Sequence, residues 1–514
     1  MITLNDIHSA QERLRDVAAS LFQQHKFPKH PSTVAIIISA LVFPPLAACA
    51  EDKSKLDSTD WVHSFKAGVT DRNGHYMGGS TIVHLVGHKE KLYAGNSYWH
   101  DARNIWYGGK DPGTGWAQVL RLDEPGGEWE VDLDLGPQHL RVEILKSLTF
   151  TMDGSGRKLS EPVNLLAAAE YSPGAGHVDI NFFCRNDRTG VWEKGTVYSG
   201  PRPADLEDRS CRAMRVYRDK VTGLERVFLS LGKLGVISGV YDPRAPGKVR
   251  WDSEPESANV ETRVLAVIEA NDSLLFSAGR KIYRRTDGET PSWEVLHDMS
   301  DLFPNVAHQP IGGIRGLSAI PNPEGNGDSL IFVMAEGKQS RGTIYRLDPD
   351  GEGWFSRNRE ADLASLMSEY LDGNPVYFIL AAYNDIYPVV DPQSGETVHL
   401  IGFESWIGGK RFPMWHYDAA KNGGFYAGGM YAIRDSRGNY RLREINGPAD
   451  PSKPPLVATC VFARSPFPED RGDRIYFAGH DGNHRESTNH AWIFSTSLEN
   501  ALRPEPAIAT TPRD

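Results

Sequence analysis

The sequence predicts an all-β protein, a seven-bladed β-propeller of four-stranded antiparallel blades, and three observations support this fold class. A four-part pattern recurs along the chain: an apolar run, a turn rich in Gly, Asp, Asn or Pro, a second apolar run and, after a variable loop, two strand-like segments. The pattern returns after about fifty to sixty residues, which is typical of propeller blades because one four-stranded unit cannot bury both faces of its sheet. The third observation is the composition: 50 glycines and 33 prolines in 514 residues indicate a turn-dense β protein.

The blades follow one another in chain order and are assigned from their apolar runs. They are predicted at residues 81–135, 144–198, 212–251, 263–296, 315–357 and 377–445, with a last unit of three strands at 458–494. A missing outer strand would leave an open sheet edge, which proteins avoid. Residues 60–66 read as a strand without a blade of its own. We therefore expect them to supply the fourth strand of the last blade and to close the ring within one domain at 60–500.

Residues 1–49 have the features of an export signal. Lys26 and Lys29 precede an apolar run at 33–43 that is too short to span a bilayer. Small residues follow this run, as they do at the cleavage site of secretory signals. The ending Leu46-Ala47-Ala48-Cys49 resembles the lipobox of bacterial lipoproteins.

The lipobox resemblance implies a diacylglyceryl group on Cys49 and a lipoprotein in the periplasm or on the outer membrane. Residues 50–59 would then form a polar tether, and the membrane would be contacted only through the N-terminal lipid anchor. Ordinary cleavage near Ala50 is the alternative. At the other end, residues 501–514 are predicted to form a disordered tail.

Charge and cysteine content exclude some classes of protein. The net charge of −11 argues against non-specific binding of nucleic acid, and we expect no nucleic-acid partner. Apart from Cys49, three cysteines remain, which do not make a disulfide framework for a chain of this size. Cys184 and Cys211 could pair between neighbouring blades, or both could be buried as small apolar residues.

The two faces of the predicted propeller differ in their loops. Loops that join the first strand of a blade to the second, and the third to the fourth, contain ordinary turn residues. The opposite face receives the loops at 96–109, 403–418 and 479–490, which are rich in His, Trp, Tyr and Arg. Long aromatic loops on a rigid scaffold commonly carry function, so we place the site on this face. The alternative is that these loops only cap the channel.

Cations occupy the first position of the inner strand in four successive blades. These residues are Lys146, Arg212, Arg263 and Arg315. A cluster of cations in a concave site attracts anions, and arginine can bind a carboxylate or sulfate with two hydrogen bonds. Alternatively, the cations could form a structural ring with acids at the ends of the second strands, namely Glu170, Glu336, Glu404 and Asp481.

Histidines form a second set. His84, His177, His308 and His480 lie near the predicted channel, where several imidazoles could hold a transition metal. Carotenoid oxygenases, which are propellers with four axial histidines, resemble this arrangement in architecture only. The cofactor prediction is therefore none, or a transition metal at these four positions.

The same face supplies groups for acid–base chemistry. The candidate catalytic residues are His100, His416, His480, Tyr98, Tyr417 and Glu404, and the candidate sugar-stacking residues are Trp99 and Trp406. Polysaccharide lyases use a cation to neutralise a uronate carboxylate and a base to remove the neighbouring proton. The chain resembles propeller lyases in architecture and in this inventory of residues.

The sequence therefore predicts an extracytoplasmic enzyme that acts on an anionic small molecule or polysaccharide at the mouth of the central channel. Lyase-like chemistry is favoured, and a hydrolase would instead need two carboxylates, for which Glu336, Glu404 and Asp481 are candidates. Two other hypotheses stay open: a non-catalytic module that binds a glycan or a protein, and a metal-dependent oxidoreductase with axial histidines.

Overall fold

A computed structural model describes most of the chain between residues 61 and 504. The described ranges are 61–104, 113–173, 176–201, 210–257, 260–304, 312–325, 327–337, 340–351, 355–370, 373, 375–383, 385–408, 424–426, 429–445, 458–480 and 488–504. They all belong to one compact unit, Asp57–Asp514. The predicted export signal, Cys49, the tether and most of the predicted tail lie outside the described residues.

The first half of the chain forms a closing strand, a small hairpin and four blades. The closing strand is β1 (Val62–Lys66), and the hairpin is β2 (Val69–Thr70) and β3 (Tyr76–Met77). Blade 1 contains β4 (Thr81–His88), β5 (Lys91–Ser97), β6 (Gln118–Leu122) and β7 (Glu130–Asp134). Blade 2 contains β8 (Ile144–Met152), β9 (Lys158–Pro173), β10 (His177–Arg185) and β11 (Trp192–Pro201). Blade 3 contains β12 (Met214–Arg218), β13 (Glu225–Ser230), β14 (Val236–Tyr241) and β15 (Val249–Trp251). Blade 4 contains β16 (Val264–Ala270), β17 (Ser273–Ala278), β18 (Lys281–Thr286) and β19 (Ser292–Asp298).

Three further blades and two short helices follow. Blade 5 contains β20 (Gly313–Pro321), β21 (Asp328–Ala335), β22 (Thr343–Pro349) and β23 (Phe355–Asp362), and it is followed by helix α1 (Leu363–Tyr370). Blade 6 contains β24 (Val376–Ala381), β25 (Tyr387–Val390), β26 (Thr397–Gly408), β27 (Gly424–Tyr426), β28 (Met430–Arg434) and β29 (Tyr440–Glu444). Blade 7 contains β30 (Thr459–Arg464), β31 (Arg474–His480) and β32 (Ala491–Ser497), before helix α2 (Leu498–Leu502).

The predicted fold class is confirmed: the strands form seven antiparallel blades, and in blades 1 to 5 each strand pairs with its neighbour in sequence. The predicted ring closure is confirmed as well. Strand β1 pairs antiparallel with β32, from Val62 opposite Ser495 to Lys66 opposite Trp492. The last blade therefore has the order β1-β32-β31-β30, and its outer edge is covered by a strand from the start of the domain. Pairing the two ends of the domain removes the open edge that three strands would leave.

The apolar core lies between neighbouring blades rather than at the centre of the ring. Side chains alternate across each strand, so both faces of a blade carry apolar residues that meet the next sheet. Phe182, Phe228, Phe276 and Phe332, one in each of blades 2 to 5, are fully buried in this way. Between blades 2 and 3 the core contains Cys184 and Cys211, and the thiols are free. Of the two alternatives for this pair, the structure therefore shows buried small residues.

Blade 6 departs from the simple pattern in a way that shapes the channel. Its long second strand, β26, pairs with β24 near its C-terminal end and with β25 near its N-terminal end. The inner strand is thus interrupted between Ala381 and Tyr387. Tyr383 lies in this interruption and lines the mouth of the channel. No helix among the described residues is long and apolar enough to cross a bilayer.

Ring closure can be tested by replacing Ser64 in the closing strand with alanine. The buried Trp129 of blade 1 donates a hydrogen bond from Nε1 to Ser64 Oγ at 3.0 Å. Loss of the acceptor leaves a buried N–H unsatisfied, so we expect the free energy of unfolding to fall by about 1–2 kcal/mol. Urea denaturation measures this change, with Ser253→Ala in an exposed loop as the control. Equal stability of the two variants would show that this contact does not hold the ring closed.

Candidate active site

A small cavity lies at one end of the channel, where the inner strands begin. We call it the mouth cavity, and its volume is about 40 Å³. The residues that line it are Thr81, Val83, Trp99, His100, Arg212, Arg263, Arg315, Leu380, Tyr383, Glu404 and His480. Six blades contribute to this set, so residues up to 400 positions apart in the chain face one small space. The predicted site residues among them are three arginines, two histidines, Glu404 and Trp99.

Three buried arginines form one wall of the mouth cavity. Arg212, Arg263 and Arg315 come from blades 3, 4 and 5, and each stands at the start of the inner strand of its blade. The hydroxyl of Ser230 accepts a hydrogen bond from the backbone amide of Arg212 at 2.8 Å, which holds this position at the end of the blade. Burial of a guanidinium is costly unless an acceptor is provided. The wall is therefore strongly cationic and strongly desolvated.

Arg212 lacks acceptors within the part of the chain that the structure describes. Its side chain is only 4% exposed, and its Nε and Nη1 atoms are buried without hydrogen-bond partners. The guanidinium carbon stands 4.9 Å from the centre of the Trp99 ring, a cation–π contact. An aromatic face offsets part of the charge but accepts no strong hydrogen bond. Arg212 is thus a buried cation with two nitrogen atoms, Nε and Nη1, that can donate to a ligand.

Three of the acids that end the second strands, Glu170, Glu336 and Glu404, contact groups other than Arg212, Arg263 and Arg315. Glu170 accepts hydrogen bonds from His139 Nδ1 at 2.8 Å and from Asn181 Nδ2 at 2.7 Å. Glu336 accepts from the backbone amide of Arg341 at 2.8 Å and from the hydroxyl of Thr343 at 3.0 Å. Glu404 contacts His480 instead. The predicted alternative of a ring of arginine–carboxylate pairs is therefore not found for these three acids, and Asp481 lies outside the described residues.

Opposite the arginines, a short relay of polar groups ends at Glu404. His480 Nε2 lies 3.2 Å from Glu404 Oε2, and because a carboxylate only accepts, the imidazole donates. On the other side of the ring, Nδ1 lies 3.7 Å from the Cys460 sulfur. Burial, together with the charge of Glu404, raises the pKa of the Cys460 thiol well above its usual value. The thiol therefore stays protonated, and its single S–H lies within reach of the carbonyl oxygen of Ala458 at 3.6 Å as well as of His480 Nδ1.

A second histidine lies against this relay. The rings of His100 and His480 meet edge to face with centres 4.6 Å apart, and His100 also stacks on His490 at 5.3 Å. The backbone amide of His100 donates to Ser80 Oγ at 2.9 Å, which holds the start of the long loop of blade 1. His100 is thus packed within the site, beside Glu404 and His480.

Lys146 requires a correction. It was predicted to stand level with the three arginines, but it lines a larger cavity farther along the channel and not the mouth cavity. The reason is register: Ile144 already pairs with Ala169 at the end of the second strand, so Lys146, opposite Ala167, lies two residues farther in. The cation near the mouth in blade 2 is Arg141, 4.8 Å from the Trp99 ring and paired with Glu143 at 2.8 Å.

Other predicted catalytic residues lie elsewhere. Tyr98 is buried next to Arg103, whose guanidinium carbon is 5.3 Å from its ring, and it is not part of the lining of the mouth cavity. Burial raises the pKa of Tyr98 above its usual value. Trp406 lies in β26, where its backbone pairs with that of Phe378 in β24, and it is not among the residues that line the mouth cavity. His416 and Tyr417 fall outside the described residues.

The predicted metal-binding histidines do not come together in the described part of the chain. His84 donates from Nε2 to the carbonyl oxygen of Glu143 at 2.9 Å, and it lines the larger cavity. His177 is exposed, with its ring 3.6 Å from Asp179. His480 is engaged by Glu404 and Cys460, and His308 lies outside the described residues. Among the described residues, no group of three or more His, Cys, Asp or Glu side chains is placed to hold a metal ion.

Comparisons with known proteins add structural similarity at low sequence identity. No family model matches the chain, and no curated protein matches it. An α-L-arabinanase of Penicillium chrysogenum, solved with arabinobiose, aligns with a TM-score of 0.40 and 12% identity over 86% of this chain and 98% of that chain. An α-L-arabinofuranosidase of Fusarium graminearum, solved with an iminosugar inhibitor, aligns with a TM-score of 0.40 and 9% identity over 87% of this chain and 99% of that chain. Similarity at this level supports no inference about activity.

Proposed function

We propose that this protein is an enzyme that cleaves an anionic carbohydrate by elimination, with the mouth cavity as its active site. The observation that carries the proposal is Arg212, a buried guanidinium whose Nε and Nη1 atoms have no hydrogen-bond partner among the described residues, beside Arg263 and Arg315. A buried cation that lacks acceptors in the protein is well prepared to bind an anionic group of a ligand. Guanidinium groups fit carboxylates best because both are planar and can form two parallel hydrogen bonds.

The size of the mouth cavity specifies which part of the ligand enters it. One water molecule needs about 10–15 Å³ of such space, so the roughly 40 Å³ of the mouth cavity corresponds to about three waters. This is the size of a carboxylate group with its nearest atoms and is too small for a whole sugar ring. The carboxylate of a uronate residue would therefore enter the cavity, while the ring would stay at its rim near Trp99.

Glu404 is the proton acceptor that this geometry favours. His480 donates from Nε2 to Glu404, whereas Glu404 uses one oxygen for this contact and presents a partly exposed carboxylate to the cavity. In an elimination, the base takes the proton from the carbon next to the carboxylate and a carbon–carbon double bond forms. The bond between the neighbouring carbon and the glycosidic oxygen breaks, and this oxygen leaves with its electron pair and takes a proton from an acid. Tyr383 and His100, which line the cavity, are candidates for that acid.

The arginine wall supports the same reaction. Removal of a proton next to a carboxylate builds up negative charge on that carboxylate, and preorganised cations stabilise this charge. Hydrolysis by two carboxylates is less well supported, since Glu404 is the one acid among the described residues that line the mouth cavity.

The proposal is tested by replacing Arg212 with methionine. The enzyme is assayed on polygalacturonate and alginate, with neutral arabinan and galactan as controls, for new reducing ends and for the ultraviolet absorbance of an unsaturated product. We expect wild-type activity on a uronate polymer and a loss of about 10- to 100-fold in kcat/KM for Arg212→Met, as for a hydrogen bond to a charged group. We also expect the variant to be no less stable, because it removes an uncompensated buried charge.

Each other outcome has a clear meaning. Reducing ends without ultraviolet absorbance would show a hydrolase and overturn the elimination. Activity on neutral polymers alone would overturn the anionic substrate. Binding to a uronate polymer without cleavage would support the non-catalytic binding module.

A further inference from the structure

A second, larger cavity occupies the channel beyond the mouth cavity. We call it the channel cavity; its volume is about 580 Å³, within the roughly 300–1,000 Å³ that is usual for small-molecule sites. Inner strands of blades 2 to 5, together with residues of blades 1 and 6, line it, and serine and threonine hydroxyls stand among apolar side chains. Arg212 lines both cavities. The remaining residues of the arginine wall, Arg263 and Arg315, line the mouth cavity and not the channel cavity.

The charges of the channel cavity are unevenly distributed. Lys146 and Arg212, in blades 2 and 3, have no ion-pair partner among the described residues. Glu269 of the neighbouring blade 4 is already engaged, since it lies 2.8 Å from Lys220 Nζ and 3.9 Å from Arg215 of blade 3. Asp385 of blade 6 is the other acid in the lining. The cavity thus carries two cations, Lys146 and Arg212, that have no ion-pair partner among the described residues, and two acids, of which Glu269 is already paired.

His84 stands beside these two cations without neutralising either. Burial, Arg212 and Lys146 lower the pKa of His84 to about 3, so the ring is uncharged at neutral pH. Its Nε2–H is used by the carbonyl oxygen of Glu143. His84 is thus close enough to both cations to be influenced by their charges, and it carries no charge that could neutralise either of them.

A further polar atom in the lining is also unsatisfied. His399 of blade 6 is 5% exposed, and its Nδ1 has no hydrogen-bond partner among the described residues. Burial, with the nearby charge of Arg434, lowers the pKa of His399 to about 4, so this ring is neutral as well. The lining of the channel cavity therefore includes two almost fully buried side chains, Arg212 and His399, that have polar atoms without hydrogen-bond partners among the described residues.

We propose that the channel cavity, which shares Arg212 with the mouth cavity, is a second binding site for a small carboxylated sugar. Its carboxylate lies between Lys146 and Arg212, and one of its hydroxyls donates a hydrogen bond to Nδ1 of His399. The site needs no catalysis at the mouth, so the inference does not depend on the proposed reaction. If the elimination also occurs, the channel cavity would take a uronate product released from the polymer.

The test measures the binding of D-galacturonate to the full-length protein. The two methods are ligand-observed nuclear magnetic resonance and isothermal titration calorimetry. Lys146→Met changes the channel cavity alone and Arg263→Met the mouth cavity alone; Lys158→Met, an exposed lysine outside both, is the matched control. We expect Lys146→Met to weaken galacturonate binding at least tenfold, while the other two variants keep the channel site. A crystal soaked in galacturonate should show the sugar between Lys146 and Arg212.

The outcomes separate this inference from the proposed function. Galacturonate binding unchanged in Lys146→Met, with solvent alone in the channel of the soaked crystal, would overturn the second site. Equal binding of D-galactose would overturn the role of the carboxylate, and binding of inorganic sulfate but not of galacturonate would overturn the sugar. Loss of polymer cleavage in Arg263→Met with retained galacturonate binding in the channel supports two separate sites.

Discussion

Replacement of Arg285 by methionine is expected to lower the free energy of unfolding by about 3–5 kcal/mol, the usual cost of removing one partner from a buried charge cluster. Arg285 lies in β18 and is only 2% exposed. It contacts three carboxylates: Glu256 at 2.5 Å, Asp219 at 2.7 Å and Asp287 at 2.5 Å. Asp219 and Glu256 belong to the connections of blade 3, so this one guanidinium joins two blades.

The expected loss comes from the carboxylates that would remain. Burial alone would raise the pKa of Asp219. The pKa nevertheless lies below its usual value, because hydrogen bonds from the amides of Thr222 and Gly288 and from the Arg285 guanidinium stabilise the charged carboxylate. Without the cation, three acids stay close together in a poorly solvated space, and the charged form becomes unfavourable. The pKa of Asp219 then rises in the folded variant, so the loss of stability is largest at neutral pH and becomes smaller as the pH falls and this carboxylate is protonated.

Denaturant unfolding at pH 7 and at pH 4.5 measures both effects. The matched control is Arg284→Met, one residue away on the same strand, whose guanidinium pairs with the exposed Glu294. An exposed pair of this kind contributes less than about 1 kcal/mol. If Arg285→Met and Arg284→Met are equally stable, the cluster does not join blades 3 and 4.

The fold was predictable because each blade repeats the same sequence pattern of strands and turns. Apolar alternation identifies the strands, turn residues mark the hairpins, and the missing outer strand of the last blade required another segment to cover it. Residues 60–66 were the remaining strand-like segment, and β1 is found there, at Val62–Lys66. The interruption in the inner strand of blade 6 was not predicted, since residues 382–386 carry no signal that separates a break in a strand from a bulge.

The site was predictable in its residue types but not in its pairings. Alternation shows which face of a strand a side chain occupies, but a two-residue error along the strand keeps the same face. Lys146 was therefore assigned to the mouth, whereas Arg141 is the cation that lies near it. Similarly, the contact of Cys460 with His480 joins two strands of blade 7, and that of His480 with Glu404 joins blades 7 and 6. Such contacts depend on distances between blades, which composition and spacing do not encode.

Replacement of Glu404 by glutamine is expected to lower kcat on a uronate polymer by about 10²- to 10⁴-fold, the usual contribution of a positioned general base. Glutamine keeps the size of the side chain and can still accept the hydrogen bond from His480 Nε2, so the relay to Cys460 should be retained. The substitution removes the negative charge and the capacity to take a proton. Because the carboxylate of the substrate is bound by the arginine wall, KM should change little.

A matched control for Glu404→Gln exists in the neighbouring blade. Glu336 comes directly after the second strand of blade 5, β21. Its carboxylate accepts hydrogen bonds from the Arg341 amide and the Thr343 hydroxyl, and it does not line the mouth cavity. We expect Glu336→Gln to keep kcat within about twofold of wild type. Activity of Glu404→Gln above a tenth of wild type would assign the proton transfer to another group at the mouth, with His100 the first to test. A smaller fall in kcat for His480→Gln than for Glu404→Gln would show that Glu404 takes the proton and that His480 positions Glu404. These are the roles that their contacts imply.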